Sequence, residues 1–231
     1  VMKKLFAADG LPVVPFAGLD RVTYENNVFE FIRSVQERFA FPMIVKPANL
    51  GSSIGINVAK NVTDLVDALR VAFEWDNRVI VEQALEDFTE LNCAALGRGS
   101  EVEVTELEQP VGWREFLKYE DKYCPGKGKN PKRLMPAPVS DEVRARVQEL
   151  TKRAFCAVGA SGVARVDFMK KGDDLYVNEI NTVPGSLANY LFTDRRPEKL
   201  IERLIELAIA DHRDRDRLKY AFQTPVIKGK A

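Results

Sequence analysis

At 231 residues, 45% hydrophobic and 29% charged, the chain has the composition of an ordinary globular protein, long enough for one large domain or two small ones. Lysine plus arginine and aspartate plus glutamate both number 34, and this zero net charge excludes a long-range pull toward nucleic acid or an anionic membrane. The three cysteines, Cys93, Cys124 and Cys156, lack the paired spacing of a zinc site or a disulfide framework and read as reduced thiols of a cytoplasmic protein.

In chain order, "KKLFAADG" predicts a short helix stopped by Gly10 and Pro12, followed by an extended segment and an amphipathic helix around "VFEFIRSVQERF". "FPMIVK" reads as a buried strand and "GINVA" as a second, across a glycine-rich turn. "TDLVDALRVAF" spaces Leu65, Val66, Leu69, Ala72 and Phe73 as a helix does, and "RVIVEQAL" is another buried strand. "ELNCAALG" and "EVEVTEL" follow as strands. "REFLKYEDKYCPGKGKNPKRLMPAP" is a long polar segment of little periodicity. Ser140 is the candidate N-cap of a helix with apolar positions Val143, Val147, Leu150, Ala154, Phe155 and Val158, ended by Gly159. Two strands and a helix beginning at Pro197 close the ordered part, and from Asp211 the chain reads as a charged tail. The sole histidine, His212, sits in "DHRDRDR", which argues against a histidine-centred triad or zinc site. No apolar run approaches the length of a membrane span, and the first residues lack the apolar run of a signal peptide.

The two late strands, "ARVDFMKKGDDLYVNEINTVPGS", carry the sharpest chemical signal. Alternation puts Arg165 and Asp167 on one face of the first, with Ala164, Val166 and Phe168 on the other. In the second, Glu179 and Asn181 share a face with Leu175 and Val177. If "KKGDD" and its neighbours close a loop of three or five residues, directly opposed positions have an even index sum and the four polar groups converge. Two carboxylates about 5 Å apart repel by roughly 3 kcal/mol at an effective dielectric near 20, so they share a proton or find a cation. Asp, Glu and Asn offer only oxygen, which suits magnesium and not zinc. Taken alone, the segment reads equally well as the solvated polar side of a hairpin.

"MIVKPANLGSSIGINVA" adds a lysine at a strand end and a turn with Gly51, Ser52, Ser53 and Gly55. It does not match a P-loop and opens onto a strand, so no helix dipole is available, but turn amides and hydroxyls can cradle an anion with Lys46 as the point charge. A flexible hairpin turn with a snorkelling lysine is the plainer alternative. "RVIVEQAL" is either a buried strand with a polar end or a segment whose backbone after Glu82 reads an adenine edge. "KYEDKYCPGKGK" is either a solvated basic loop or a lid that brings Lys122 onto a terminal phosphate.

In their order, "KPANLGSSIGI", "VIVEQAL", "YEDKY", "MPAPVSDEV", "ARVDFM" and "VNEINTVPG" resemble the ATP-grasp ligases and, within them, the D-alanine:D-alanine ligases, from about Lys3 to Ala208. The resemblance implies an α+β, ATP-grasp fold with antiparallel sheets enclosing a nucleotide cleft. Residues 1–88 would form the central subdomain, 89–210 the C-terminal subdomain with the metal site, and 211–231 a tail. By resemblance, Lys3 and Lys46 contact phosphate, Ser52 and Ser53 lie in the loop that covers it, and Glu82, Gln83, Ala84 and Leu85 meet adenine. Glu90, allowing a one-residue insertion, matches the ribose-binding acid, and Lys122 and Tyr123 fall in the mobile loop. Asp167, Glu179 and Asn181 match the ligands of Mg2+ (or Mn2+), while Arg165 and the Gly185 amide match groups that stabilise charge on reacting carbonyl and phosphoryl oxygens. The implied partners are ATP and amino-acid substrates, with a homodimer among the admissible assemblies.

Two departures qualify the resemblance. The family's N-terminal domain of about a hundred residues has no counterpart here, so a fragment is expected. After "NTVPG" the hydroxyl-rich run that binds the second D-alanine gives way to "SLANYLF", with Tyr190 where a small hydroxyl is expected. Three readings therefore stand: a D-alanine:D-alanine ligase fragment, a ligase for another amino acid or peptide, and a non-catalytic nucleotide-binding module.

Overall fold

The computed structural model describes residues 1–51, 53–111 and 132–221. Within them the chain is α+β and every strand pairing is antiparallel, as expected. Helix α1 (Met2–Ala8) leads into β1 (Phe16–Asp20), α2 (Arg21–Gln36), β2 (Met43–Pro47), β3 (Asn57–Ala59), α3 (Val62–Trp75) and β4 (Arg78–Gln83). The four strands form one sheet in the order β1-β4-β2-β3. Its apolar face, with Ala17, Leu19, Val45, Val79 and Val81, packs against Ile32 and Val35 of α2 and Leu65, Leu69, Ala72 and Phe73 of α3. Both helices start where a side chain accepts an otherwise unpaired amide: Thr23 N–H donates to Asp20 Oδ1 at 2.8 Å and Asp64 N–H to Asn61 Oδ1 at 3.0 Å.

The second layer holds β5 (Thr89–Arg98), β6 (Glu101–Val104), β9 (Ser161–Lys171) and β10 (Asp174–Asn181), ordered β10-β9-β5-β6. Helix α4 (Asp141–Ala157) covers it, capped by Ser140 as expected. Strands β7 (Gln109–Val111) and β8 (Lys132–Leu134) pair with each other. Three-residue strands containing Pro110 and Arg133 show no alternation, which is why the sequence did not reveal them. Residues 112–131 of the long polar segment lie outside the described residues.

The structure corrects three expectations. The first residues do not belong with the first sheet. Phe6 and Leu11 are buried among Leu91, Val147, Leu150, Phe168 and Val177, and Val177 N–H donates to Pro12 O at 2.7 Å. Helix α1 is thus part of the second layer, because its apolar residues find their burial there. Nor does a tail begin at Asp211: α5 (Pro197–Asp216) runs through it, with Asp211 and Asp214 pairing to Arg98 of β5 and the exposed His212 3.3 Å from Asp216. Residues 222–231 lie outside the described residues.

The third correction concerns the hairpin. Asp174 pairs with Lys171, so the turn is only Gly172–Asp173 and the index sum is odd, which taken alone would send Glu179 and Asn181 to the wrong face. A β-bulge between Val177 and Glu179 restores the even sum: Val177 opposes Phe168, but Glu179 opposes Asp167 and Asn181 opposes Arg165. Val177 and Leu175 therefore join the core instead of sharing a face with the acids.

Candidate functional site

Three neighbouring strands place Asn92, Asp167 and Glu179 side by side, with Arg165 and Asn181 opposed one step along. Asp167 is only 5% exposed. Arg165 grips it with two hydrogen bonds, Nε to Oδ1 at 2.6 Å and Nη2 to Oδ2 at 2.8 Å. Asn181 Nδ2 donates to Asp167 Oδ2 at 3.0 Å and to Glu179 Oε1 at 3.4 Å, bridging the two acids. The Asn92 Nδ2 donates to Glu108 Oε2 at 3.5 Å, and with the amide turned over it would donate to Asp167 Oδ1 at 3.2 Å instead. Burial pushes the Asp167 carboxyl up to about 6, with Glu179 adding to the rise, against the pull of Arg165 and Asn181. Burial also opposes the Arg165 charge, but the hydrogen bonds and charge of Asp167 prevail and hold the guanidinium well above its usual range.

The anticipated conflict between two acids is real, and donors from the protein meet it. Among the described residues no cluster of three or more His, Cys, Asp or Glu surrounds a common point; the acidic face offers two carboxylates and an amide.

A second charged cluster joins the two layers. Lys3 of α1 and Lys46 of β2 hold the Glu82 carboxylate from either side, Lys3 Nζ 3.0 Å from Oε1 and Lys46 Nζ 3.0 Å from Oε2. Burial works against the Glu82 charge, yet the two lysines keep its carboxyl below the usual range. Burial and the neighbouring Lys46 charge bring the Lys3 ammonium below its usual range despite Glu82. The Lys3–Glu82 contact is an ion pair of poor angle, so Lys3 Nζ and Glu82 Oε1 both lack a hydrogen-bond partner although buried. Lys3 also feels the charge of Glu179, so this cluster adjoins the acidic face.

The remaining expected site residues divide into those among the described residues and those outside them. Ser53 takes a left-handed φ of 61° and Gly55 one of 71°, in a turn tied by Ile54 N–H to Gly51 O at 3.2 Å. Asp76, at the end of α3, anchors the turn's approach by accepting from Asn49 N at 2.8 Å. The Glu82 carboxylate is spent on the two lysines, so its side chain does not face an open edge. The amides of Gln83 and Ala84 donate to Pro15 O and Pro42 O. Leu85 follows the end of β4, Glu90 stands near the start of β5, and Gly185 is exposed at the head of a 3-10 turn, Gly185–Leu191. Ser52, Lys122, Tyr123 and Cys124 lie outside the described residues, while Cys93 is buried and Cys156 exposed, both free. A cavity of about 290 Å³ lined by Glu103–Glu106 and Leu191–Arg195 contains none of the expected site residues.

Sequence reasoning missed Asn92 and Glu108, both buried polar residues of the second layer. Asn92 left a signal, as the one amide in the otherwise apolar run "LNCAALG". No helix among the described residues is long and apolar enough to cross a membrane.

Comparison with known proteins identifies the family. The family model described as "D-ala D-ala ligase C-terminus" matches residues 5–206. The D-alanine--D-alanine ligase of Caldicellulosiruptor bescii is 37% identical over 227 residues, covering 95% of this chain and 61% of that protein. The D-alanine-D-alanine ligase structure from Coxiella burnetii superposes with a TM-score of 0.73 at 26% identity, over 94% of this chain and 57% of that one. The VanG D-Ala:D-Ser ligase from Enterococcus faecalis also gives 0.73, at 27% identity, over 89% of this chain and 60% of that one. The chain thus spans about three-fifths of the length of these relatives.

Proposed function

Because the chain belongs to the D-ala D-ala ligase C-terminus family and has its ATP-grasp fold, we propose that it carries the nucleotide-binding and metal-binding part of an ATP-dependent ligase. In that reaction a substrate carboxylate attacks the γ-phosphate to give an acyl phosphate, and an amine displaces phosphate to form an amide, as in joining two D-alanines for cell-wall peptidoglycan.

The observation that carries this reading is the meeting of two unlike clusters: a buried Lys3 without a hydrogen-bond partner and a half-buried Lys46, beside two carboxylates in register. Lys3 and Lys46 would neutralise phosphate oxygens that otherwise repel an anionic nucleophile. Leu85 offers backbone to an adenine edge, and Ser53 and Gly55 shape the turn over the phosphates. Glu90 is the candidate for ribose. Arg165, charged throughout the physiological range, is suited to oxygen charge that develops on the reacting carbonyl, and the Gly185 amide is the candidate second donor.

The acidic face fits magnesium, since its donors are hard oxygens and it already requires cationic compensation, supplied here by Arg165. Asp167, Glu179 and Asn181 would hold the ion, which when bound supplies neutralisation of phosphate charge.

A second reading keeps the chemistry and changes the amino acid. Tyr190 places a half-buried ring at Arg165, where it narrows the space for an acceptor side chain.

Calorimetric titration with an ATP analogue, with and without magnesium, tests the proposal. Binding that needs magnesium and is lost in Asp167→Asn combined with Glu179→Gln is expected. Equal affinity in that double variant, with its circular dichroism unchanged, would remove the metal site. Phosphate release screened across D- and L-amino acids then separates D-alanine from another acceptor.

A further inference from the structure

The face that carries the two acids continues across the sheet to a third. Asp167 is opposite Glu179 on one side and Asn92 on the other, and Asn92 is bridged in turn by Glu108 through backbone hydrogen bonds of 2.8 and 3.0 Å. Directly opposed residues of antiparallel strands share a face, so the four form one row across β10, β9, β5 and the residue before β7. With neighbouring strands about 4.8 Å apart, Glu108 stands roughly 10 Å from Asp167, near enough for one small molecule to span the two.

The next row on this face sets its border. Arg165 is opposite Ala94, and Ala94, Leu96 and Val163 make an apolar half that the 3-10 turn covers with Ala188, Leu191 and Phe192. Tyr190 of that turn packs against the same cluster. The polar half of the face is therefore bounded by the turn and by Glu108.

Arg133 of β8 joins these two boundaries. Its guanidinium carbon lies 4.2 Å from the centroid of the half-buried Tyr190 ring, and its Nε lies 3.1 Å from Glu108 Oε1. Glu108 is 2% exposed, whereas the Arg133 side chain is 47% exposed. An exposed long side chain normally gains little from being held in one geometry, yet this one is fixed both by its face and by its Nε. A guanidinium has five N–H donors, and among the described residues no acceptor besides Glu108 meets this one. Its two Nη groups are thus pre-oriented donors, in the fork that matches a carboxylate.

We propose that Arg133 is a specificity-determining residue of the acceptor pocket, its Nη edge taking the α-carboxylate of the amino acid whose amine attacks the acyl phosphate. Glu108 and Tyr190 hold the guanidinium in the orientation that this requires. In the attack the amine nitrogen bonds to the acyl carbon, the bond from that carbon to the phosphate oxygen breaks with its electron pair leaving on phosphate, and the proton lost from nitrogen ends on the released phosphate. The amine must keep its lone pair free, so the carboxylate is the charged group by which an acceptor can be held throughout. This role in ligation rests on the ligase reading; the carboxylate site itself does not.

NMR titration of the whole chain, with and without magnesium and a non-hydrolysable ATP analogue, tests the proposal. The probes are D-alanine, D-serine and L-alanine, each beside its carboxamide. For at least one of them the acid is expected to bind about tenfold tighter than the amide. Arg133→Met combined with Glu108→Gln removes both charges and leaves neither buried unpaired; it should bring that ratio to within about twofold of unity. Arg133→Lys, a point charge without the fork, should give an intermediate ratio. Absence of binding by all three acids, equal affinity of acid and amide in wild type, or a ratio unchanged in the double variant with its circular dichroism intact would overturn the proposal. Should the double variant not fold, a wild-type ratio in Arg133→Lys overturns it. A preference for the acid that disappears in the double variant, in a chain that binds no magnesium-nucleotide, retains the carboxylate site and rejects the ligase reading instead. Where turnover is measurable, the double variant should raise KM for the acceptor about tenfold at unchanged KM for ATP, and an unchanged acceptor KM contradicts the proposal.

Discussion

Lys3 of α1 and Glu82 of β4 form an ion pair at 3.0 Å with both side chains nearly fully buried, and it joins the helix packed on the second layer to the sheet of the first. Lys46 completes the cluster from β2. One carboxylate thus sets the position of two cations that approach from different layers.

Removal of that carboxylate is the first prediction. Glu82→Gln leaves Lys3 buried without its counter-charge and should cost about 3–5 kcal/mol in urea unfolding, whereas Lys3→Met, which removes the buried charge, should cost much less. The pH dependence has a definite sign. Because the folded-state value of Glu82 is depressed, its contribution is full above the unfolded carboxylate value and lost as pH falls through the folded one. The acid-side loss of stability should therefore shrink in Glu82→Gln.

Asp167 behaves oppositely, since burial raises its carboxyl to about 6. The folded state then binds a proton that the unfolded state has released, so this group's contribution weakens as pH rises from the usual carboxylate value to about 6. A metal ion competes with that proton. Magnesium-dependent nucleotide affinity should rise with pH up to about 6 and level off above it, after correction for titration of the nucleotide itself. Calorimetry across that range checks it; a flat profile through that pH contradicts the assignment of Asp167 as a ligand.

The bulge makes a sharper test. Deletion of Asn178 removes the extra residue and leaves Glu179 directly after Val177, still opposite Asp167, whereas insertion of one residue after Asn178 moves Glu179 and Asn181 one step along and turns them toward the core. The insertion should destabilise the chain by several kcal/mol, roughly the cost of burying unpaired polar groups, and abolish magnesium-dependent nucleotide binding. The deletion, which keeps the pairing, should retain that binding. Equal binding by the insertion variant would show that the register does not set the acid pair.

In the glycine-rich turn, Gly55 combines a φ of +71° with a site where a Cβ would lie 2.8 Å from Pro47 Cγ and 3.1 Å from Trp75 Cδ1. Gly55→Ala should cost about 1–3 kcal/mol in thermal unfolding and weaken nucleotide binding. Gly51→Ala is the control, since a Cβ there meets nothing within 4 Å. Similar losses in both variants would point to a general effect of side chains in the turn.

The sequence by itself determined the elements whose burial is periodic: the spacing of Leu65, Leu69, Ala72 and Phe73 is that of a helix facing one core, and Ser140 and Gly159 mark the ends of another. It also supplied the donor types for the proposed site, because Asp, Glu and Asn side chains together with a glycine-rich turn and its lysine suit a hard cation and phosphate. Only the tertiary structure decided which layer α1 joins, since Phe6 and Leu11 are equally apolar for either core. It alone decided the register of the acids, because a two-residue turn and a one-residue bulge cancel in a way that alternation cannot count. The meeting of Arg133 with both the Tyr190 ring and the Glu108 carboxylate was likewise invisible, since the three lie far apart in the chain and come together only when burial forces each polar group to find a partner.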